Sequence, residues 1–331
     1  MGKARWTMAA GVLSILLLAG CSSKTNDDVK GGNDSKDQTY TIGFTQFVEH
    51  PSLDEASKGF KKAIKDKGLK VKYDDQNAQG DQNNTATIAN NFVSQKVDLI
   101  FANATPSALA ALNATKDIPI IFTSVTDPVS TKLVKSMEKP GGNITGTSDT
   151  HPEAIPSTVA FIADEMKAKR VGTIYNSGEQ NSLVQIKEMK KAAKEKGVKV
   201  VESSVSTSSE VKQAAESLAG KVDAIYIITD NTVVQALESV IMVAKDKKLP
   251  LFAGELDSVK RGAFAAYGFS YYDIGYQAGE MAASILKDGK KAEDIPAEYP
   301  KKLHFSINEK AAEEMGVTVK DEWKEKAELV K

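Results

Sequence analysis

The sequence is poor in the residues that build covalent staples and metal centres. It has one cysteine, Cys21, which excludes an intrachain disulfide and a cysteine metal cluster. Its three histidines, His50, His151 and His304, are far apart in sequence and leave little material for a zinc site. It contains no Gly-x-Gly-x-x-Gly, no Walker loop and no Gly-x-Ser-x-Gly, so nothing calls for a nucleotide cofactor or a serine nucleophile. Neither charge is in excess: 43 basic against 44 acidic side chains is not the basic surface that nucleic acid requires. No apolar run reaches the roughly 20 residues needed to cross a bilayer. What is present is 41% apolar and 26% charged residues, an ordinary globular composition, over a length of 331 that allows two domains. No cofactor, metal ion or catalytic group is expected.

Residues 1–20 are expected to be a lipoprotein signal peptide. Lys3 and Arg5 precede the apolar stretch Met8–Gly20, the charge-then-apolar order of a secretory signal. It ends in Leu18-Ala19-Gly20-Cys21, which resembles a bacterial lipobox, and the only cysteine stands where a lipobox needs one. A plain signal peptide with a chance cysteine is the alternative. Lipidation of Cys21 implies an extracytoplasmic protein held to the cell membrane by its acyl chains. Residues 21–39, rich in Ser, Asn, Asp, Lys and Gly, have too little apolar surface to order and are expected to be a flexible tether.

From Tyr40 onward short apolar strands alternate with amphipathic helices. Strands are expected at Tyr40–Phe47, Leu69–Tyr73, Asp98–Asn103 and Pro119–Val125, and helices at Asp54–Lys67, Gln82–Gln95 and Pro106–Thr115. The pattern then restarts, with strands at Val171–Asn176, Lys199–Val205, Ala224–Asp230 and Pro250–Gly254. Helices are expected at Asn181–Lys196, Ser209–Leu218 and Thr232–Lys245. The letters restart as well. The run Lys61–Val71 parallels Lys190–Val200, 129 positions later, and Lys96–Phe101 parallels Lys221–Tyr226, 125 positions later. A duplicated βα half explains both, so the fold class is α/β: two similar, doubly wound parallel-sheet lobes.

Ligands of parallel sheets bind at the carboxyl ends of the strands. The candidate ligand-binding residues therefore follow the strands. In the first lobe they are Gln46, His50 and Pro51, then Thr105 and Ser107, then Ser124, Thr126 and Asp127. In the second they are Ser148 and Asp149, then Tyr175, Asn176, Glu179, Asn181 and Ser182, then Asp230 and Asn231, then Glu255 and Tyr267. Thr105 and Pro106 also read as a helix start, whose free N–H groups suit a carboxylate. Capping and turn chemistry would account equally well for many of these Ser, Thr and Asn residues, and for Asp230.

Several stretches carry a family resemblance. Gln46-Phe47-Val48-Glu49-His50-Pro51-Ser52-Leu53-Asp54 is similar to the Q-x-x-x-H-P-x-L-D start of an ABC-type substrate-binding family that includes tryptophan-binding lipoproteins. Ala104–Ala108, Ser124–Pro128, Gly262–Gly268 and Tyr271–Gly279 continue the likeness, which covers nearly all of Tyr40–Asn308. The resemblance implies a type I periplasmic-binding-protein fold with three crossings between lobes, near Gly142–Gly146, Ala266–Phe269 and Lys287–Lys291. Lobe 1 would then be residues 40–146 and 268–289, and lobe 2 residues 147–267 and 290–331. It implies capture of a small solute by cleft closure, as a monomer, and delivery to the transmembrane subunits of an ABC permease.

Aromatic amino acids are attested for some members of that family. An amino-acid carboxylate would meet the Thr105–Ser107 helix start. Its ammonium would meet Asp230, ahead of Glu179 and Glu255, and Phe47, Tyr175 or Tyr267 would cover its side chain. A sugar or nucleoside in the same fold is the alternative; it is disfavoured because Arg170 and Arg261, the arginines after the signal, lie outside these loops. An extracytoplasmic enzyme is a remoter one.

Overall fold

The computed structural model describes residues 38–330; the expected signal peptide, Cys21 and almost all of the expected tether lie outside them. The first half builds β1 (Thr39–Gln46), α1 (Pro51–Asp66), β2 (Lys70–Asn77), α2 (Gln82–Gln95), β3 (Leu99–Asn103), α3 (Thr105–Ala114), β4 (Ile120–Val125) and β5 (Ile144–Ser148). The five strands form one parallel sheet in the order β2-β1-β3-β4-β5. β3 and β4 are buried along their whole length, as central parallel strands covered on both faces must be. α1 starts at Pro51, which suits a first helical position, and turns Leu53, Ala56, Phe60, Ala63 and Ile64 inward. Phe60, Phe44 and Phe101 pack on one another beneath the sheet, with Phe101 4.4 Å from Phe44 and 4.0 Å from Phe60.

The second half repeats this plan with α4 (Ala154–Asp164), β6 (Arg170–Asn176), α5 (Gln180–Glu195), β7 (Lys199–Val205), α6 (Val211–Leu218), β8 (Ala224–Ile227), α7 (Asn231–Gln235), α8 (Leu237–Lys247), β9 (Leu251–Ala253), α9 (Leu256–Arg261) and β10 (Ala265–Gly268). After it come α10 (Tyr271–Asp288), β11 (His304–Asn308), α11 (Glu309–Glu314), α12 (Asp321–Lys324) and β12 (Glu328–Val330). The second sheet runs β7-β6-β8-β9-β10-β11-β12, so its first five strands copy the order of the first sheet. α1 moved by 129 positions falls on α5 end to end, and β3 moved by 125 begins β8.

Several expectations need correction. β5 and α4 arise where no element was expected. The second sheet is not wholly parallel, because β11 pairs antiparallel with β10. The helix expected at Thr232–Lys245 is two helices that break at Ala236. The Arg261 guanidinium donates to the Val234 carbonyl at 2.8 Å beside that break. The chain leaves the first sheet after Ser148, not at Gly142–Gly146, because Ile144, Thr145 and Gly146 pair with Ile120, Ile121 and Phe122. It returns at Phe269–Ser270, between β10 and α10. It leaves again only after Glu298, later than Lys287–Lys291. Thr145 Oγ1 donates to Ile295 O at 2.7 Å, and Ser148 N–H donates to Glu298 O at 2.8 Å, which keeps this stretch on lobe 1.

α10 is the strap that brings the chain back to lobe 1. It lies against α1 at a separation only glycine permits. A Cβ on Gly275 would strike the Ala56 carbonyl, one on Gly59 the Tyr272 carbonyl, and one on Gly279 would come within 2.7 Å of Ala63 Cβ. Gly275→Ala should therefore lower the unfolding free energy in urea by about 1–3 kcal/mol. Gly142→Ala, which faces open space, should change it by less than about 0.5 kcal/mol.

Candidate functional site

The lobe 1 side of the site is made by the turns after β1, β3 and β4. Two of these turns use backbone geometry that non-glycine residues rarely adopt. Ala104 has φ 86 and ψ 154, and Ser124 has φ 57. Each such residue costs on the order of 1–3 kcal/mol and persists only where its surroundings hold it. Around them lie buried polar atoms with no hydrogen-bond partner in the protein: Thr105 Oγ1, Ser107 Oγ, Ser124 Oγ and His50 Nδ1. Thr105 and Ser107 occupy the first turn of α3, where the helix leaves N–H groups unbonded. Leaving a buried hydroxyl unmatched costs about 1–3 kcal/mol, so this cluster needs an outside partner.

The lobe 2 side is organised by carboxylates. Glu179 accepts from Asn231 Nδ2 at 2.6 Å, Asn231 N–H at 3.2 Å, Asn181 Nδ2 at 3.1 Å, Thr232 N–H at 3.0 Å and Thr232 Oγ1 at 2.8 Å. Asp230 accepts from Asn176 N–H and Ser182 Oγ, both at 2.6 Å, and caps α7 through Val233 N–H at 2.9 Å. Burial, and then the neighbouring Glu179 charge, push the Asp230 carboxyl well above its ordinary value. Glu255 caps α9 through the Ser258 N–H and hydroxyl and also accepts from the Ser52 hydroxyl of lobe 1. Burial, and then Asp257, raise its carboxyl too, and the lobe 1 residue Ser52 lies beside it. Asn181 Oδ1 and Thr229 Oγ1 are buried without partners.

The two sides touch. His50 Nε2 lies 3.5 Å from Asn231 Oδ1, Gln82 Nε2 donates to Gly178 O at 2.9 Å, and Gln185 Nε2 lies 3.5 Å from Thr126 Oγ1. A cavity of about 420 Å³ takes walls from α2, α3 and the Gly178–Gln180 turn and includes Thr105. Between the crossings, Asp149 accepts from Tyr271 Oη at 2.8 Å and Thr126 Oγ1 at 3.0 Å. Among the described residues no lysine or arginine lies within ion-pair distance of Asp149, Glu179, Asp230 or Glu255. Burial lowers the His50 imidazole to about 4, so it too brings no positive charge at neutral pH.

Other expected residues stand elsewhere or are already occupied. Tyr175 donates to Glu202 of the neighbouring strand β7 at 3.1 Å. Tyr267 stacks on Phe305 at 4.4 Å inside lobe 2, and Phe47 is core. Gln46 is consumed by Val48, Asp54 and Ser57, and Asp127 caps its own turn through Val129 and Ser130 N–H. Asn176 bonds Thr232 and Gly178, Ser148 donates to Thr126 O, and Pro51 is an exposed helix start. Asp230, the first choice for an ammonium, spends its oxygens on three donors of its own lobe. Ser52 and Thr229, which stand in the expected cleft loops, join the site, as do Gln185 and Tyr271, which were not among the candidates. Ser52 stands two residues after His50, which was the available signal; Gln185 and Tyr271 reach the site only through tertiary packing.

Two α/β lobes joined by three crossings, with unsatisfied polar groups at their facing strand ends, define a solute-binding protein of the type I periplasmic-binding-protein class. The family model for ABC transporter substrate binding protein matches residues 41–331, and the chain belongs to that family. It is 49% identical over 308 residues to a protein named tyrosine-binding protein from Clostridioides difficile (strain R20291), covering 91% of this chain and 88% of the relative. Among solved structures it resembles an ABC domain in complex with L-Trp from Streptococcus pneumoniae, with a TM-score of 0.84 at 34% identity over 89% of this chain and 100% of that one. It also resembles a ligand-free, open substrate-binding protein with adhesive properties from Clostridium difficile, with a TM-score of 0.65 at 42% identity over 88% and 99%.

Burial raises the Asp149 carboxyl from 3.8 to about 6, against the hydrogen bonds from Tyr271 and Thr126. A carboxyl raised on folding favours the folded state at low pH, and that contribution is lost as pH rises from the ordinary value to the raised one. Above about 6 the buried charge is a full burden. Relative to wild type, Asp149→Asn should therefore be up to about 3 kcal/mol more favourable at pH 7 than at pH 4 in urea unfolding. Equal differences at the two pH values would remove the assigned burial cost.

Proposed function

We propose that this chain captures an aromatic amino acid between its lobes and hands it unaltered to an ABC permease. The observation that carries the reading is the set of buried, unpartnered hydroxyls at the strand ends of lobe 1 together with the buried carboxylates at those of lobe 2, which have no cation. An α-amino acid supplies both missing partners. Its carboxylate accepts from the Thr105 and Ser107 hydroxyls and the α3 helix start. Its ammonium meets Glu255, whose hydrogen bonds come from Ser258 and Ser52, where Glu179 and Asp230 are each held by three residues of their own lobe. The relative named for tyrosine and the neighbour holding L-Trp support the aromatic class. The likeness is greater to the L-Trp complex than to the open protein, although the open protein is nearer in sequence. Closed lobes account for that order.

The chain works outside the cytoplasm in this reading, tethered through residues 21–39 and a lipid on Cys21. Residues 149–153, 269–270 and 299–303 would act as the hinge.

Isothermal titration of the protein with L-tyrosine and L-tryptophan should show binding, and Glu255→Gln should weaken it by at least about tenfold, the loss expected for one charge-assisted bond. Binding of a sugar and of no amino acid would overturn the reading. Cys21→Ser should abolish incorporation of labelled palmitate and release the protein from membranes; unchanged incorporation would remove the lipid from the proposal.

A further inference from the structure

Glu179 sets the direction of a hydrogen-bond chain that crosses from lobe 2 to lobe 1. Both of its oxygens are surrounded by N–H and O–H donors, so the carboxylate only accepts. Asn231 must then turn its Nδ2 to Glu179, at 2.6 Å, and its Oδ1 away. That oxygen faces His50 Nε2 at 3.5 Å. An acceptor in this place favours the imidazole form that carries its proton on Nε2. The other ring nitrogen, Nδ1, is left with a lone pair. It is buried and has no partner in the protein. Burial keeps the ring neutral down to about pH 4, so the lone pair persists through the neutral range.

We propose that His50 determines specificity by accepting, on Nδ1, a hydrogen bond from an N–H or O–H group of the captured solute. Glu179 and Asn231 are positioning residues that hold the ring in its accepting form. The inference rests on the amino-acid reading of the cleft. A solute that presents a carboxylate or another bare acceptor at this place meets a lone pair and is rejected. An ammonium and a phenolic hydroxyl both carry the required donor, and the test separates them.

The full chain is titrated with L-tyrosine, with L-phenylalanine, which lacks the hydroxyl, and with 3-(4-hydroxyphenyl)propionate, which lacks the ammonium. The wild type should prefer L-tyrosine over at least one analogue by about tenfold or more. His50→Phe keeps a ring and loses the acceptor. It should lose about tenfold in affinity for L-tyrosine, and its preference over that one analogue should collapse while the other preference survives. Both preferences unchanged in His50→Phe, or no preference in the wild type, would overturn the role of His50. Failure of the wild type to bind any of the three would instead overturn the amino-acid reading. Nitrogen-15 NMR of the unsubstituted protein reads the ring directly and does not depend on a variant folding. His50 should carry its proton on Nε2, and Asn231→Leu should release it into a mixture of forms. A proton on Nδ1 in the wild type, or an unchanged ring in Asn231→Leu, would overturn the proposal.

Discussion

The cleft depends on buried carboxylates that no lysine or arginine among the described residues neutralises. The Glu179 charge lies close enough to Asp230 to raise that carboxyl's cost of ionisation, yet both residues are buried almost completely. They are sustained by dense donor shells from Asn176, Asn181, Ser182, Asn231 and Thr232. Those shells hold the turns after β6 and β8 in one arrangement. Glu255 is held by Ser258 of its own lobe and Ser52 of the other, so packing surrounds three similar acids differently.

Lobe 1 meets this wall with the opposite device. It offers hydroxyls rather than charges, set on turns whose backbone is strained at Ala104 and Ser124. The strain is sustained by a rigid support: wholly buried central strands, a phenylalanine layer beneath them, and α10 locked on α1 through glycine contacts. α10 follows directly from the second crossing, and its first residue, Tyr271, holds Asp149 of the first. The support of lobe 1 and the hinge are therefore one piece of chain.

Much of this was legible in the sequence. The alternation of apolar strands with amphipathic helices located eight of the first nine strands, all but β5, because burial on both faces of a parallel sheet leaves a strong local signature. The repeat offsets of 129 and 125 placed α5 on α1 and β8 on β3, because duplicated halves keep equal spacing. Less was legible where local signals are weak. β5 carries Thr145, Gly146 and Thr147, which look like loop until Ile121 and Phe122 pair with the first two and Glu298 with the third. The third crossing was placed at the end of α10, because nothing in 290–298 announces that it remains hydrogen-bonded to lobe 1.

The sequence by itself determined the two-lobed α/β plan and the loops that could hold a ligand, since both follow from local periodicity and from the rule that strand ends carry sites. Only the tertiary structure decided which members of those loops are free. Asp230, Glu179 and Glu255 are the same kind of group in the same kind of turn, and what separates them is the number of donors that packing brings to each. The same holds for Tyr175 and Tyr267, whose rings the sheets turn toward Glu202 and Phe305. A residue's type and place in the chain set what it can bond, but its neighbours in space settle whether that capacity is already used.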